Sequence, residues 1–104
     1  ERCIIKEEAI RQGFPIMIAS APQAGATSPA ARAGSVVQST ADALAGIVYA
    51  NTVRPGCPLT FAAWPFVSDL RTGAMSGGSG EQGLLMSAVA QVACHLGIPA
   101  SVAA

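Results

Sequence analysis

The side chains best suited to chemistry are concentrated in one segment, residues 63–81. This segment contains the only tryptophan, Trp64, two of the six acidic residues, Asp69 and Glu81, and one of the six basic residues, Arg71. The face of an indole ring attracts a quaternary ammonium or another cation, by about 0.5 to 2 kcal/mol when water is excluded. An arginine binds carboxylates or an adjacent domain through its charged fork of donors. The segment therefore has residue types that suit a small charged molecule.

Each of these residues also has a purely structural interpretation. Trp64 can pack in a core like any large aromatic residue. Asp69 and Arg71 can pair with each other or with another segment, which contributes little more than local order. Glu81, in the first turn of a predicted helix, can stabilise that helix through the macrodipole. The sequence alone leaves both interpretations open for all four residues.

A glycine-rich turn, residues 77–80, opens the same predicted helix. Free N–H groups at a helix N-terminus often bind phosphate or carboxylate. The turn lacks the lysine of a P-loop, however, and the carboxylate of Glu81 would repel an anion. Phosphate binding is therefore not favoured.

The cysteines and the single histidine do not form a recognisable metal or catalytic motif. Cys3, Cys57 and Cys94 fit neither a disulfide framework nor metal-ligand spacing, which indicates reduced thiols and an intracellular, cytoplasmic protein. His95 falls in the last turn of a predicted helix, where its cationic form complements the dipole. There is no G-x-S-x-G elbow for a nucleophilic serine. We expect no bound metal ion.

The overall composition limits the possible partners. The 104 residues are 51% hydrophobic and 12% charged, with a formal net charge of zero. Without a basic cluster the chain lacks the electrostatic footprint of nucleic-acid or anionic-membrane binding, and no stretch predicts a membrane span. So few charges over so much apolar surface indicate extensive contact with other protein. We expect residues 1–104 to be a single segment of a larger domain, and that domain to form a homo-oligomer.

Three similar segments recur along the chain and define its organisation. Each reads Gly-x-Pro followed by a short apolar run, at residues 13–20, 56–63 and 97–104. A glycine after a helix supplies the left-handed terminating residue, and a proline two positions later prevents the helix from continuing. The pattern predicts strands at 15–19, 58–62 and 99–103, with little in-out alternation, as in parallel strands covered on both faces.

Helical patterns precede and separate these strands. The first covers about residues 2–12, with Ile5, Ala9 and Ile10 as its predicted inward residues. The second is predicted to begin at Ser35 as N-cap and to end near Arg54. Its predicted inward residues are Val37, Ala41, Leu44, Ile47 and Val48. The third begins at Ser79, whose spacing to Gln82 forms a capping box, and ends near Leu96. Its predicted inward residues are Leu85, Val89, Val92 and Leu96.

Alternating helices and strands predict a parallel α/β fold with right-handed crossovers. The regular repeat and the long connections at 20–34 and 63–78 favour a partial (β/α)8 TIM barrel over an open sheet, with about three consecutive αβ units present. In such a barrel these connections form the face that carries the active site. The connection 20–34 is rich in small residues, which suit either a substrate cavity or a flexible loop.

Several strings in this framework resemble the trimethylamine methyltransferase family. They are Val53-Arg-Pro-Gly-Cys-Pro58, Asp69-Leu-Arg-Thr-Gly-Ala74, Ser76-Gly-Gly-Ser-Gly-Glu81, and the segments at 18–27 and 96–104. The resemblance covers essentially the whole chain. It implies a TIM-barrel enzyme that transfers a methyl group from trimethylamine, or from a quaternary amine such as glycine betaine, to the Co(I) of a corrinoid protein.

The resemblance also implies the partners and the site. The corrinoid would be carried by a separate protein, so we expect no cofactor bound directly to this chain. Trp64, Asp69, Arg71 and Glu81 are the positions expected to line the substrate cavity, although the catalytic residues remain unassigned. The segment alone is expected to be inactive. The alternative is a non-catalytic α/β piece that acts as a scaffold or in oligomerisation.

Overall fold

The structure, a computed structural model, describes residues 2–103 and has three helices and four strands. In chain order they are α1 (Arg2–Arg11), β1 (Ile16–Ser20), β2 (Gln23–Ala24), α2 (Arg32–Val53), β3 (Leu59–Ala63), β4 (Phe66–Val67) and α3 (Gly80–Leu96). The predicted order of helices and longer strands is confirmed from α1 to α3. The two short strands β2 and β4 are new, and they lie in the connections that follow β1 and β3.

The strands pair in parallel, as the repeat predicted. β1 pairs with β3 from Ile16 opposite Leu59 onward, and β2 pairs with β4 from Gln23 opposite Phe66 onward. Both pairs join residues 43 positions apart, so β2 and β4 continue the first pair in the same register. Pro22 and Pro65 lie between the two pairs and have no N–H to donate, while the N–H groups of Trp64 and Phe66 donate to Ser20 O at 2.7 Å and to Pro22 O at 2.8 Å.

The third predicted strand, 99–103, is only partly formed. It makes a single parallel bridge, between Phe61 and Ala100. The N–H of Phe61 donates to Pro99 O at 2.8 Å, and the N–H of Ser101 donates to Phe61 O at 2.9 Å. β3 therefore lies between β1 and this third segment, with parallel pairing on both sides.

The three glycines of the Gly-x-Pro repeat have the predicted backbone conformation. Gly13, Gly56 and Gly97 have φ of 82°, 73° and 68°, in the left-handed region. At the end of α3 the N–H of Gly97 donates to Cys94 O at 3.2 Å, which closes the last turn. A residue with a Cβ adopts this conformation only with strain, so glycine turns each helix into the following strand.

The predicted start of α2 is wrong. The helix begins at Arg32 with Ala31 as N-cap, and no side chain caps it. Ser35 lies inside the helix with none of its surface exposed, and its hydroxyl contacts that of Ser28 at 2.9 Å. The hydrogen bond with Ser28 satisfies the buried hydroxyl of Ser35, so this serine is accommodated inside the helix rather than at its N-terminus.

The predicted inward face of α2 is also largely wrong. Val37 and Val48 are 68% and 67% exposed, and Ala41 is exposed as well. The buried residues of the helix are small: Ser35, Ser39, Ala43 and Ala50. Of the predicted set, only Leu44 and Ile47 pack against the core, and both are partly buried.

Small residues form this face because the helix lies very close to the sheet. A Cβ placed on Gly46 would come within 2.4 Å of Cγ2 of Ile18, a buried residue of β1. The main core behind the sheet consists of Ile18, Ala43, Phe61, Ala63, Val89 and Ala93. Close packing against the branched side chain of Ile18 thus selects small residues on the inner side of α2.

Helix α3 follows the prediction closely. Ser79 is the N-cap, and its hydroxyl accepts from the N–H of Gln82 at 3.2 Å. The side chain of Gln82 reaches back and accepts from the N–H of Gly78 at 2.8 Å, so the capping box is present. Leu85 and Val89 are buried as predicted. Val92 is half-buried and Leu96 is 41% exposed, so the stripe weakens towards the C-terminus.

Helix α1 packs against α2 at its C-terminal end. Ile10 is buried as predicted and Ala9 is half-buried, whereas Ile5 is 70% exposed, contrary to the prediction. The hydroxyl of Tyr49 on α2 donates to the carboxylate of Glu7 on α1. This hydrogen bond, together with burial and the negative charge of Glu7, raises the pKa of Tyr49 to about 12. None of the helices within residues 2–103 is sufficiently long and apolar to cross a membrane.

Candidate functional site

A cavity of about 330 Å³ lies beyond the C-terminal ends of β2 and β4, between them and the first turns of α2 and α3. In parallel α/β sheets, ligands bind beyond the C-terminal strand ends. The wall consists mainly of small or apolar residues. They include Ala24 at the end of β2, Gly25 directly after it, Ala31 before α2, Val67 on β4, and Leu85 on α3. The size and the lining suit a small molecule with apolar groups.

Two opposite charges are paired in the wall of this cavity. Arg32 Nη2 lies 2.6 Å from Glu81 Oε1, and both side chains belong to the cavity wall. The two side chains keep 59% and 49% of their surface exposed, so solvent and ligands can reach them. The ion pair joins the N-terminal turn of α2 to that of α3, which are 49 residues apart in sequence.

Ser68 adds a polar group to the same wall. It is 7% exposed, and its hydroxyl donates to Gln23 Oε1 at 2.7 Å. The backbone N–H of Ser68 donates to Ala24 O at 3.3 Å, which extends the pairing of β2 and β4 by one bond. The hydroxyl oxygen retains acceptor capacity while its proton is committed to Gln23. The polar part of the cavity is therefore small and well ordered.

Asp69 shapes the loop after β4. Its Oδ1 accepts from the backbone N–H of Arg71 at 3.0 Å, and its Oδ2 accepts from the hydroxyl of Thr72 at 3.0 Å. The N–H of Gly73 donates to the backbone oxygen of Asp69 at 2.7 Å. These bonds close a tight turn, and both carboxylate oxygens of Asp69 accept hydrogen bonds from residues of that turn.

Asp69 and Arg71 thus interact through the backbone of Arg71. Within the part of the chain that the structure describes, the Arg71 guanidinium forms no ion pair, and the residue is exposed. Leu70, between them, is 75% exposed, yet it also borders the cavity and lies over Gly25. The turn therefore stands at the edge of the cavity and leaves Arg71 open to solvent.

Trp64 lies at the end of β3, apart from the cavity wall. Its indole N–H donates to the backbone oxygen of Ser101 at 2.9 Å, which ties β3 to the third segment. Its backbone N–H donates to Ser20 O at 2.7 Å, which ties it to the end of β1. The ring is half-buried. The polar end of the indole is held, while part of the ring remains accessible.

The four predicted site residues are thus placed at the same end of the sheet but in different surroundings. Glu81 lines the cavity, Asp69 and Arg71 form the turn at its edge, and Trp64 lies at the end of β3. Sequence analysis missed Arg32, although it is the only charged residue in the connection 20–34. Between residues 2 and 103 there is no group of three potential metal-ligating His, Cys, Asp or Glu side chains.

The protein so described is a mixed α/β chain with parallel strands, long connections at their C-terminal ends, and a charged cavity between those connections. The sequence model of the trimethylamine methyltransferase family matches residues 3–104. The chain belongs to this family. The resemblance noted from the sequence strings is confirmed.

Individual relatives agree with this assignment. The chain is 41% identical over 87 residues to a glycine betaine methyltransferase from Desulfitobacterium hafniense, which covers 84% of this chain and 18% of that protein. It is 35% identical over 101 residues to the trimethylamine methyltransferase MttB of Methanosarcina thermophila, covering 97% of this chain and 21% of that protein.

A third relative is the proline betaine:corrinoid methyltransferase of Eubacterium limosum, which is 35% identical over 79 residues, or 76% of this chain and 16% of that protein. The chain spans about a fifth of the length of these curated relatives.

Proposed function

We propose that this chain is part of an enzyme that transfers a methyl group from trimethylamine, or from a quaternary amine such as glycine betaine, to the Co(I) of a corrinoid protein. Membership of the trimethylamine methyltransferase family carries this proposal. The names of the relatives, which specify trimethylamine, glycine betaine or proline betaine as substrate, support the substrate class.

We further propose that residues 1–104 form one segment of a (β/α)8 barrel. Parallel pairing on both sides of β3 supports this arrangement, because a barrel strand needs a parallel neighbour on each side. The Gly-x-Pro repeat supports it as well, because each unit supplies one strand and one helix of similar length. The remaining strands would close the ring and complete the site, so the segment alone is expected to be inactive.

The predicted site residues have complementary tasks in this proposal. Glu81 places a carboxylate in the cavity, where a methylated ammonium is attracted to it. Trp64 offers part of a fixed ring face, which suits a cation with methyl groups. Asp69 holds the turn beside the cavity, and Arg71 extends from that turn towards solvent, where a carboxylate or a partner protein can reach it.

The chemical step requires a good leaving group and an in-line approach. A quaternary nitrogen leaves as a neutral amine when its bond to the methyl carbon breaks, so it needs no prior protonation. The corrinoid supplies the nucleophile that accepts the methyl group, and we propose that its carrier protein covers the C-terminal end of the strands. The residues of this chain bind and orient the amine. Because the cavity has the size of a small molecule, we propose that the corrinoid stays bound to the partner protein.

The experiment is a methyl-transfer assay. The gene product that contains this chain is mixed with a corrinoid protein reduced to Co(I), and the visible spectrum is followed after addition of trimethylamine, glycine betaine, proline betaine or choline. We expect at least one amine to cause methylation of the corrinoid and loss of one methyl group from the amine. Absence of both changes for every amine would refute the proposed activity.

The second candidate function is that of a non-catalytic scaffold or oligomerisation piece. Exposed apolar side chains on α1, α2 and α3 favour it, namely Ile4, Ile5, Val37, Val48 and Leu84. Such a surface is also expected of a cytoplasmic homo-oligomer, which we propose for the enzyme. Sedimentation distinguishes self-association, and the methyl-transfer assay distinguishes catalysis from scaffolding.

A further inference from the structure

We infer that Arg32 and Glu81 together select zwitterionic methylated amines, with Arg32 binding the carboxylate of the substrate and Glu81 facing its ammonium group. The inference rests on the proposed function and adds a specificity-determining residue, Arg32, to the site. It starts from the position of the two side chains on the wall of one cavity. Both remain half-exposed while they are paired.

The pair is open to exchange with a ligand. Exposed ion pairs contribute only about 0 to 1 kcal/mol to stability, because water screens the charges and two long side chains must be ordered. Opening the contact between Arg32 Nη2 and Glu81 Oε1 therefore costs the fold little. A ligand that satisfies both charges can take the place of the internal contact.

A betaine has the charge pattern that this exchange requires. Its carboxylate and its quaternary nitrogen are separated by a single carbon atom, so two adjacent and opposite charges on the protein can engage both ends. The methyl groups of the ligand would contact small and apolar wall residues such as Ala24, Ala31 and Val67. Because the ligand and the Arg32–Glu81 pair are each neutral overall, their contact leaves no unpaired charge in the cavity.

A simple cation fits the same cavity less well. Trimethylammonium or choline could approach Glu81, but the guanidinium of Arg32, 2.6 Å from that carboxylate, would repel it. If Arg32 stayed paired, most of the attraction of Glu81 would already be neutralised. The pair should therefore favour betaines over cations of similar size that lack a carboxylate.

Binding measurements on the gene product that contains this chain, by calorimetry or by ligand line broadening in NMR, test this inference. Glycine betaine is compared with choline, which shares the trimethylammonium group but has no carboxylate. We expect the unmodified protein to bind glycine betaine more tightly. Arg32→Gln should weaken glycine betaine binding about 10-fold or more, the loss typical of one charge-assisted contact, and leave choline binding unchanged or stronger. Arg32→Lys should restore part of the preference.

Two further variants serve as controls. Glu81→Gln should weaken the binding of both ligands, because it removes the charge that faces the ammonium group. Arg11→Gln removes an exposed arginine of α1 that pairs with Glu7, at 3.7 Å, and should change neither affinity. Comparable weakening of both ligands by Arg32→Gln would overturn the inference, and so would failure of the unmodified chain to bind glycine betaine.

The outcome separates this inference from the proposed function. If glycine betaine binds with the expected Arg32 dependence but no methyl group reaches the corrinoid, the methyl-transfer proposal fails and the specificity inference stands. If methyl transfer occurs and Arg32→Gln raises KM for glycine betaine and for choline by the same factor, the specificity inference fails and the enzymatic proposal stands.

Discussion

Replacing Gly46 by alanine tests the close packing of α2 on the sheet. In an exposed helix this change stabilises a protein by up to about 1 kcal/mol, because alanine loses less backbone entropy on folding. Here the new Cβ would lie 2.4 Å from Cγ2 of Ile18, which is 3% exposed and belongs to the core. Overpacking of this kind costs about 1 to 3 kcal/mol. The net expectation is therefore a loss of about 0 to 2 kcal/mol.

Gly83→Ala on α3 is the matched control. Among residues 2–103, no neighbouring heavy atom lies within 4 Å of the position that a Cβ would take at Gly83, so only the helix-propensity gain remains. The two variants should differ by about 1 to 3 kcal/mol in the free energy of unfolding, with Gly46→Ala the less stable. Urea unfolding followed by circular dichroism measures the difference. Equal stabilisation by both substitutions would refute the argument that contact with Ile18 selects glycine at position 46.

Three further predictions concern side chains that form local hydrogen bonds. Tyr49 is the only tyrosine, so ultraviolet absorbance should show its phenol titrating at about 12, and Glu7→Gln should lower that value. The pKa is raised in the folded state, so stability should hold below pH about 10 and fall between about 10 and 12. Ser79→Ala should cost about 1 kcal/mol by chemical denaturation, since the cap of α3 is lost, whereas Ser87→Ala should be nearly neutral. Asp69→Ala should expose the turn after β4 to limited proteolysis, with cleavage confined to that turn.

Each of these predictions has an outcome that contradicts it. A phenol that titrates near its ordinary value would show that Glu7 does not hold the Tyr49 hydroxyl. Equal losses from the two serine substitutions would remove the capping argument, since only Ser79 accepts from a helix-terminal N–H. Unchanged proteolysis of Asp69→Ala would show that the backbone closes the turn without the carboxylate.

Strands β1 and β3 and the C-terminal ends of the helices were predictable because their signals are local. A left-handed glycine and a proline two residues later determine the backbone wherever they occur, so Gly13 and Gly56 marked equivalent positions of two units. The cap at Ser79 depends on residues three positions apart and was equally clear. By contrast, the short strands β2 and β4 depend on pairing across 43 residues and have no local signature.

The inward face of α2 was not predictable from hydrophobicity. Bulky residues such as Val37 usually mark the buried side of a helix, but here the tight approach of the sheet excludes them from it. Serines 35 and 39 are buried because each finds a nearby oxygen within the helix or the preceding loop. Only the three-dimensional distance between helix and sheet reverses the usual pattern.

The candidate site was predictable in part. The concentration of rare residue types drew attention to Glu81, which does line a cavity. Its partner, Arg32, belongs to a different unit, and no feature of the connection 20–34 signals that the two charges meet. Asp69 and Arg71 were expected to pair either with each other or with another segment, and Asp69 contacts Arg71 only through the backbone, because a short acidic side chain readily binds the N–H two residues later.

Pro65 affects backbone pairing at the C-terminal end of the sheet. The N–H groups of a strand alternate in direction, and that of Phe61 points to Pro99, so an N–H at position 65 would point to the same neighbouring segment. The ring nitrogen of Pro65 carries no hydrogen atom, so the backbone has no donor towards the third segment at this position, whereas the N–H groups of Trp64 and Phe66 still join the first two strands by donating to Ser20 O and Pro22 O. Whatever the temperature or salt concentration, the backbone at position 65 thus offers no donor on the side that faces the third segment.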